Sequence, residues 1–292
     1  MIARGGLGRR MNANSRVLPY LLAFPGIAWL LAFFVAPLLA QVATSLSQGS
    51  LITHWRFTWH WQNYLDAWNT YGRLFARSFG YAALATLFTV LLGYPLAYFI
   101  VFRGGRWKML LLFPVVVPFL ITYLVRTVSW LALLSDGGIV VSALKALHLM
   151  PDDGFLIGTL AAVVFALAYN FLPFSVLPIF ASLDKIDPTL LRAAADLYAS
   201  PFVVFRKVVL PLSLPGVFAG SLLTFIPAAG DYVNAQMLGA PEQQMIGNAI
   251  QAQYMVTLNY PLAAAASLIL MVSLLVCVAV YSRLFGTKDL TG

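Results

Sequence analysis

Apolar residues recur in six long blocks, roughly Leu18–Ala40, Phe79–Phe102, Met109–Leu134, Phe155–Phe180, Val208–Ala229 and Pro261–Tyr281. Each is long enough to cross about 30 Å of hydrocarbon as an α-helix. The pattern therefore predicts an all-α polytopic membrane protein with six transmembrane helices. The first block reads as a retained anchor, because it is 23 residues long, contains Pro25 and Pro37, and lacks a small-residue cleavage site. Pro114, Pro118, Pro173, Pro178 and Pro227 lie within later blocks and should interrupt backbone ladders there.

The polar stretches between the blocks are unequal. Residues 41–78 carry Trp55, Trp59, Trp61 and Trp68, which suit a membrane interface or an amphipathic helix lying on it. Residues 103–108 form a tight basic turn, and 135–154 and 230–260 form longer loops. No internal repeat of the kind many secondary carriers show is present.

Basic residues orient the blocks. With a cytoplasmic N-terminus, the inside segments hold Arg4, Arg9, Arg10 and Arg16, then Arg103, Arg106 and Lys108. They also hold Lys185, Arg192, Arg206 and Lys207, then Arg283 and Lys288. That is 13 inside against four outside, Arg56, Arg73, Arg77 and Lys145. The expectation is a multi-pass protein of a bacterial inner membrane with both termini cytoplasmic. Residues 1–17 and 286–292 would be tails, 18–285 the membrane domain, 41–78 an external segment and 181–207 an internal loop.

Composition changes the picture mainly by exclusion. Apolar residues make up 61% and charged residues 10% of the 292, too little charge to cover a soluble globule of this size. The net charge of +8 follows the helix ends and does not argue for nucleic acid. Cys277 cannot form an internal disulfide, and the three histidines, His54, His60 and His148, form no metal or triad spacing. A Gly-rich phosphate loop with G-K-[ST] is also missing, so the chain should not hydrolyse ATP itself.

The internal loop is the most informative polar segment. Asp187 before Pro188 is a helix start, and Thr189–Ala199 is helical by propensity. Ser200-Pro201 ends it, and a second short helix covers Phe202–Val209. Leu190, Ala194, Leu197 and Pro201 share a stripe, which fits either a docking surface or an interfacial helix packed on its own domain.

Here the chain resembles the permease subunits of binding-protein-dependent ABC importers. The likeness rests on Arg192, Ala193, Ala194, Ala195, Asp196, Leu197, Tyr198, Ala199, Ser200 and Pro201, followed by Val209, Leu210 and Pro211. Two positions depart from the family pattern: Arg192 stands where glutamate is usual, and Tyr198 where glycine is usual. The resemblance implies a type I importer permease fold in which Arg192–Ala194 and Asp196–Pro201 couple to an ATPase. Arg192 would then reverse a charge and Tyr198 would fill space.

Further stretches resemble the first permease of spermidine/putrescine importers. They are Tyr123-Leu124-Val125-Arg126-Thr127 with Trp130, Tyr169-Asn170-Phe171-Leu172-Pro173-Phe174, Phe225–Val233, Leu238–Pro241 and Met245–Asn248. The implied partners are a second six-helix permease, two ATPase subunits using ATP and Mg, and an external or periplasmic solute-binding protein. The implied cargo is a small cation, and another organic solute or a metal complex is the alternative. No cofactor is expected on this chain.

Candidate residues for the path or gate follow from chemistry. Arg126 is costly in hydrocarbon and suits a structural or gating ion pair better than contact with a cation. Asp231 follows a Pro227–Gly230 interruption and can attract an ammonium group at the outer end of the path, or be an acid solvated in a loop. Tyr123, Trp130, Tyr169 and Tyr232 can stack on alkylammonium groups, and Asn170 breaks the apolar pattern beside Tyr169. A secondary carrier, a membrane enzyme and a purely structural membrane partner are the rival readings.

Overall fold

The structure is a computed structural model describing residues 14–49 and 54–285. Residues 1–13 of the expected 1–17 tail, the 286–292 tail and residues 50–53 of the external segment lie outside the described residues, and residues 14–17 are already helical. Among the described residues, six helical stretches are long and apolar enough to cross a membrane: Leu22–Ser45, Gln62–Arg103, Tyr123–Ala146, Leu160–Asp184, Pro201–Ala229 and Tyr260–Arg283. These overlap the six expected blocks, with shifted ends and one internal rearrangement.

The first stretch joins α1 (Asn14–Leu30) to α2 (Ala36–Ser45) through a wider π-turn at Leu31–Val35. The fifth joins α9 (Pro201–Val204) to α10 (Leu210–Ala229) through a π-turn at Phe205–Val209. Both π-turns end two residues before a proline, Pro37 and Pro211. Ala36 N–H donates back to Leu31 O and Leu210 N–H to Phe205 O, a five-residue step. Widening the turn relieves the clash between a proline ring and the carbonyl four residues earlier. The short helix expected over Phe202–Val209 is therefore not separate but runs on into the fifth span.

The 41–78 segment also departs from expectation. After a short antiparallel pairing of β1 (Ser47–Gln48) with β2 (Arg56–Phe57), the chain enters α3, Gln62–Arg103. This 42-residue helix is about 63 Å long, so its first half extends the span rather than lying across it. Ala67, Tyr71, Leu74 and Ser78 recur at helical spacing and face α12 (Ile246–Met255) and the start of α13 (Tyr260–Phe285). Ser78 Oγ accepts from Ile246 N–H at 2.7 Å, and Gln253 Nε2 donates to Tyr71 OH at 2.7 Å.

The third crossing is broken. α4 (Lys108–Val116) passes into a 3₁₀ turn at Val117–Leu120, an extended Ile121, and then α5 (Tyr123–Leu134). Lys108 Nζ pairs with Asp184 Oδ1 at 2.7 Å at one end, and Leu134 packs on Ala162 at the other. The two half-helices thus run antiparallel to the whole of α7 (Leu160–Asp184). The apolar stretch at Tyr123–Ala146 is not the crossing, because it is interrupted at Ser135–Gly138 before α6 (Ile139–Ala146). Pro173, Pro178 and Pro227, by contrast, sit inside continuous helices.

α7 begins at Leu160 rather than Phe155, because Gly158 takes φ +84° and the Thr159 hydroxyl caps the Ala162 amide. It is the buried axis of the fold, packed between α3 and α10. Small residues permit that approach. A Cβ on Gly93 would meet Val176 Cγ2 at 3.1 Å; one on Gly216 would meet Pro178 O at 2.5 Å; one on Gly220 would meet Ser175 O at 2.9 Å. The core divides along α7 into a cluster around Leu167 and Phe171 and another around Ile179 and Leu183.

Segment 230–260 is not a loop. It folds as α11 (Val233–Leu238), a 3₁₀ turn at Pro241–Gln243, and α12. α11 turns inward against α5 and α7, with Leu238 buried beside Leu134, Ala162 and Ala166.

Candidate functional site

Two candidate sites stand out, one inside the helical bundle and one in the 181–207 loop. The first lies where α5, α7 and α11 meet. Asn170 is the eleventh residue of α7, about 15 Å from its start, which puts the cluster near the middle of the crossing. Asn234, fully buried, is its hub. The Asn234 side-chain oxygen accepts from Thr127 Oγ1 at 3.1 Å and from Asn170 Nδ2 at 3.2 Å. Its amide nitrogen donates to Tyr123 OH, and Tyr123 OH donates to Asp231 Oδ2. Asp231 Oδ1 accepts from Asn234 N–H at 2.9 Å, so the carboxylate satisfies a first-turn amide of α11.

Asp231 is only 8% exposed. It is neither at the open outer end of the span nor solvated in a loop. Arg126 lies on the other side of the Tyr123 ring, 6% exposed. Its Nη1 donates to Asn170 O at 3.3 Å, and its guanidinium carbon lies 5.4 Å from the Phe119 ring and 5.5 Å from the Tyr123 ring. The expected ion pair for Arg126 is not made among the described residues. Its Nε is buried without a partner, as is Asn170 Oδ1.

The structure thus brings Tyr123, Arg126, Asn170 and Asp231 together. Trp130 and Tyr169 form a separate edge-on pair, 5.2 Å between ring centres, with Tyr169 partly open. Tyr232 enters only through its backbone carbonyl, which accepts from Asn248 Nδ2 at 2.8 Å, and its ring is exposed. Asn234, Thr127 and Phe119 were not singled out in the sequence. The signal available for Asn234 was a polar side chain three residues after Asp231 at the start of a short helix.

The second site is the 181–207 loop. Asp187 caps α8 (Pro188–Asp196), accepting from Thr189 N–H at 2.8 Å, and that bond holds its carboxyl below the usual range. α8 ends at Asp196, three residues earlier than the propensity of Thr189–Ala199 suggests. Tyr198 N–H donates to Ala195 O at 2.9 Å and Ala199 N–H to Ala194 O at 3.1 Å, while Tyr198 takes φ +56°. This is a Schellman stop, whose left-handed residue is usually glycine. Tyr198 does not crowd a neighbour, since it is 97% exposed; what it carries is backbone strain.

Leu191 anchors the loop to the cluster around Ile179, whereas Leu190 and Leu197 face outward with Phe202. α8 buries none of its residues, so the stripe is not packed on its own membrane domain. Arg192, Ala193, Asp196 and Ser200 are exposed as well, and Ala194 and Ala199 are half-buried.

Six long apolar stretches, a buried helical axis and a broken crossing define a polytopic membrane protein. Residues 89–286 match the family described as "Binding-protein-dependent transport system inner membrane component". The chain is 32% identical over 257 residues to the spermidine/putrescine transport system permease protein PotB of Haemophilus influenzae, covering 88% of this chain and 90% of that one. It is 34% identical over 222 residues to the inner membrane ABC transporter permease protein YdcU of Escherichia coli, covering 71% and 70%. A bacterial ABC transporter that imports the acidic polysaccharide alginate has the same fold, with TM-score 0.76 at 17% identity over 96% of this chain and 98% of that one.

The chain belongs to the ABC importer permease family. It is a multi-pass membrane component of an ATP-driven importer, working with a paired permease, ATPase subunits and a solute-binding protein. Among the described residues no group of His, Cys, Asp or Glu is placed to hold a metal.

Proposed function

We propose that this chain is one half of the path of a polyamine importer, carrying spermidine- or putrescine-like cations. Asp231 carries the reading: it is a carboxylate near mid-crossing, held under the aromatic Tyr123. The 32% identity to spermidine/putrescine permeases over 88% of the chain supports it. As the two permeases part, Asp231 meets the ammonium group, and Tyr123, Trp130, Tyr169 and Tyr232 offer ring faces along the way. Asn170 and Arg126 set the position of that cluster. On the other side, Arg192–Ala194 and Asp196–Pro201 dock on the ATPase, which transmits closure to α10 through the continuous α9–α10 helix. Both termini and the 181–207 loop are cytoplasmic.

The test is ATP-dependent uptake of labelled spermidine and putrescine by the complete reconstituted complex. Close pairing in a partly dehydrated path is worth about 1–3 kcal/mol, so Asp231→Asn should lower uptake roughly tenfold to a hundredfold at unchanged receptor affinity. Ala194→Trp should leave assembly intact and uncouple ATP hydrolysis from uptake. Cysteine at Ser182 should be labelled only from the cytoplasm, and at Gln243 only from outside. Uptake of neither polyamine by the wild-type complex would end the substrate reading.

A further inference from the structure

Arg126 also lines a cavity of about 280 Å³ at the broken crossing. The remaining walls are Leu96 of α3, Leu111, Pro114 and Val115 of α4, Pro118 of the 3₁₀ turn, and Tyr169, Leu172 and Pro173 of α7. Apart from the guanidinium and the Tyr169 hydroxyl, this lining is apolar. A buried guanidinium demands a counter-charge or a full set of acceptors. Arg126 has one carbonyl at 3.3 Å, two ring faces and a buried Nε without a partner.

We propose that the cavity receives a carboxylate side chain from a helix of the mate permease, forming an ion pair in trans with Arg126. Three observations select this occupant. The walls suit the hydrocarbon stem of an Asp or Glu on an apolar helix, and offer too few polar groups to orient a hydrophilic solute. The cavity opens beside Tyr169 on a face where Phe165, Leu177, Leu124 and Val128 present exposed apolar side chains, a surface suited to another helix. The guanidinium also repels a cationic cargo; this last point rests on the polyamine reading.

The acid would not come from a second copy of this chain. A second copy would have to supply a free carboxylate near mid-crossing. Among the described residues, Asp231 is engaged by Tyr123 and Asn234. Asp184 pairs with Lys108 at a helix end, and Asp187 caps α8. Asp66 lies in the outlying first half of α3, and Asp136, Asp152, Asp153, Asp196 and Glu242 lie in connections or at helix ends. Docking into the Arg126 cavity of an identical copy leaves the guanidinium without its acid.

The test uses the co-expressed permeases and ATPase in mild detergent, captured through a tag on this chain. Arg126→Glu should reduce the captured mate to less than a tenth of the wild-type amount, with Arg126→Lys retaining more mate than Arg126→Gln. Changing one Asp or Glu of the mate to Lys should restore capture by the Arg126→Glu chain. Capture needs no solute, so its outcome is independent of the polyamine result. A second measurement covers a variant that fails to fold: in a Cys277→Ser background, Tyr169→Cys should cross-link to a mate helix within one turn of a carboxylate. Wild-type capture by folded Arg126→Glu overturns the proposal, and if uptake is then lost the acid belongs to the solute. Restoration only by changes within this chain, capture of a second copy as the sole mate, or cross-links confined to helices without acids overturn it equally.

Discussion

Replacing Gly216 with Ala tests whether α7 and α10 are held at their separation by backbone contact. The added Cβ would lie 2.5 Å from both Pro178 O and Ser182 Cβ. Neither atom can swing away as a long side chain could. Reaching ordinary contact, 3.4 Å, requires the two helices to part by about 0.9 Å along most of their shared surface. Overpacking of this kind costs about 3 kcal/mol at the upper end of its range. Ala gains about 1 kcal/mol over Gly in a helix, leaving a net loss of about 2 kcal/mol. Gly80 of α3 is the control, because a Cβ there meets nothing within 4 Å, so Gly80→Ala should gain up to about 1 kcal/mol. Reversible SDS unfolding in mixed micelles reads both. The same methyl group should shift stability in opposite directions at the two positions. If Gly216→Ala is as stable as the wild type, the small-residue contact does not set the helix separation.

Two further outcomes follow from local geometry. Tyr198→Gly should strengthen the α8 stop by about 1 kcal/mol, because an exposed side chain is lost and the left-handed φ of +56° becomes unstrained; slower amide exchange at Tyr198 and Ala199 in the complex would register it, and unchanged exchange would contradict the strain. Tyr123→Phe should cost about 1–3 kcal/mol, since it leaves a buried Asp231 oxygen and an Asn234 amide proton without their partner. SDS unfolding again decides, with loss below 0.5 kcal/mol counting against the network.

The six crossings were legible because length and hydropathy alone specify them. Asp187-Pro188 was legible because capping is local. The helical nature of Gln62–Ser78 was present in the sequence as the spacing of Ala67, Tyr71, Leu74 and Ser78, but the tryptophans of 41–78 read as an interfacial segment or a helix lying on the membrane, not as an extension of the span. The hub Asn234 could not be found by such reasoning. Its side-chain partners Asn170, Thr127 and Tyr123 are 64, 107 and 111 positions away, so the burial that gives it meaning arises only after α11 turns inward. Pro114 and Pro118 announced an irregularity, as did Pro173 and Pro178. Only Pro118 falls in a break, whereas Pro114 lies inside α4 and Pro173 and Pro178 inside α7, and composition does not separate the two cases. α7 is enclosed by α3 and α10, which hold its ladder together, whereas α4 buries none of its residues. The Tyr198 departure was visible, but its consequence was conformational rather than steric.

The continuity of α3 has a mechanical consequence. One continuous helix of 42 residues, with Pro95 inside it, joins the Tyr71 and Ser78 contacts at one end of the molecule to the Arg103 turn at the other. Rotating the rod by about 5° about Gly93 moves Tyr71, about 33 Å away, by about 2.9 Å, and Arg103, about 15 Å away, by about 1.3 Å. A tilt where the 230–260 segment rests on α3 is therefore stepped down about twofold into a finer movement at the basic turn. Such leverage needs no relay of side-chain rearrangements, only a stiff shaft and a fulcrum, and the close seat of Gly93 on Val176 supplies the fulcrum.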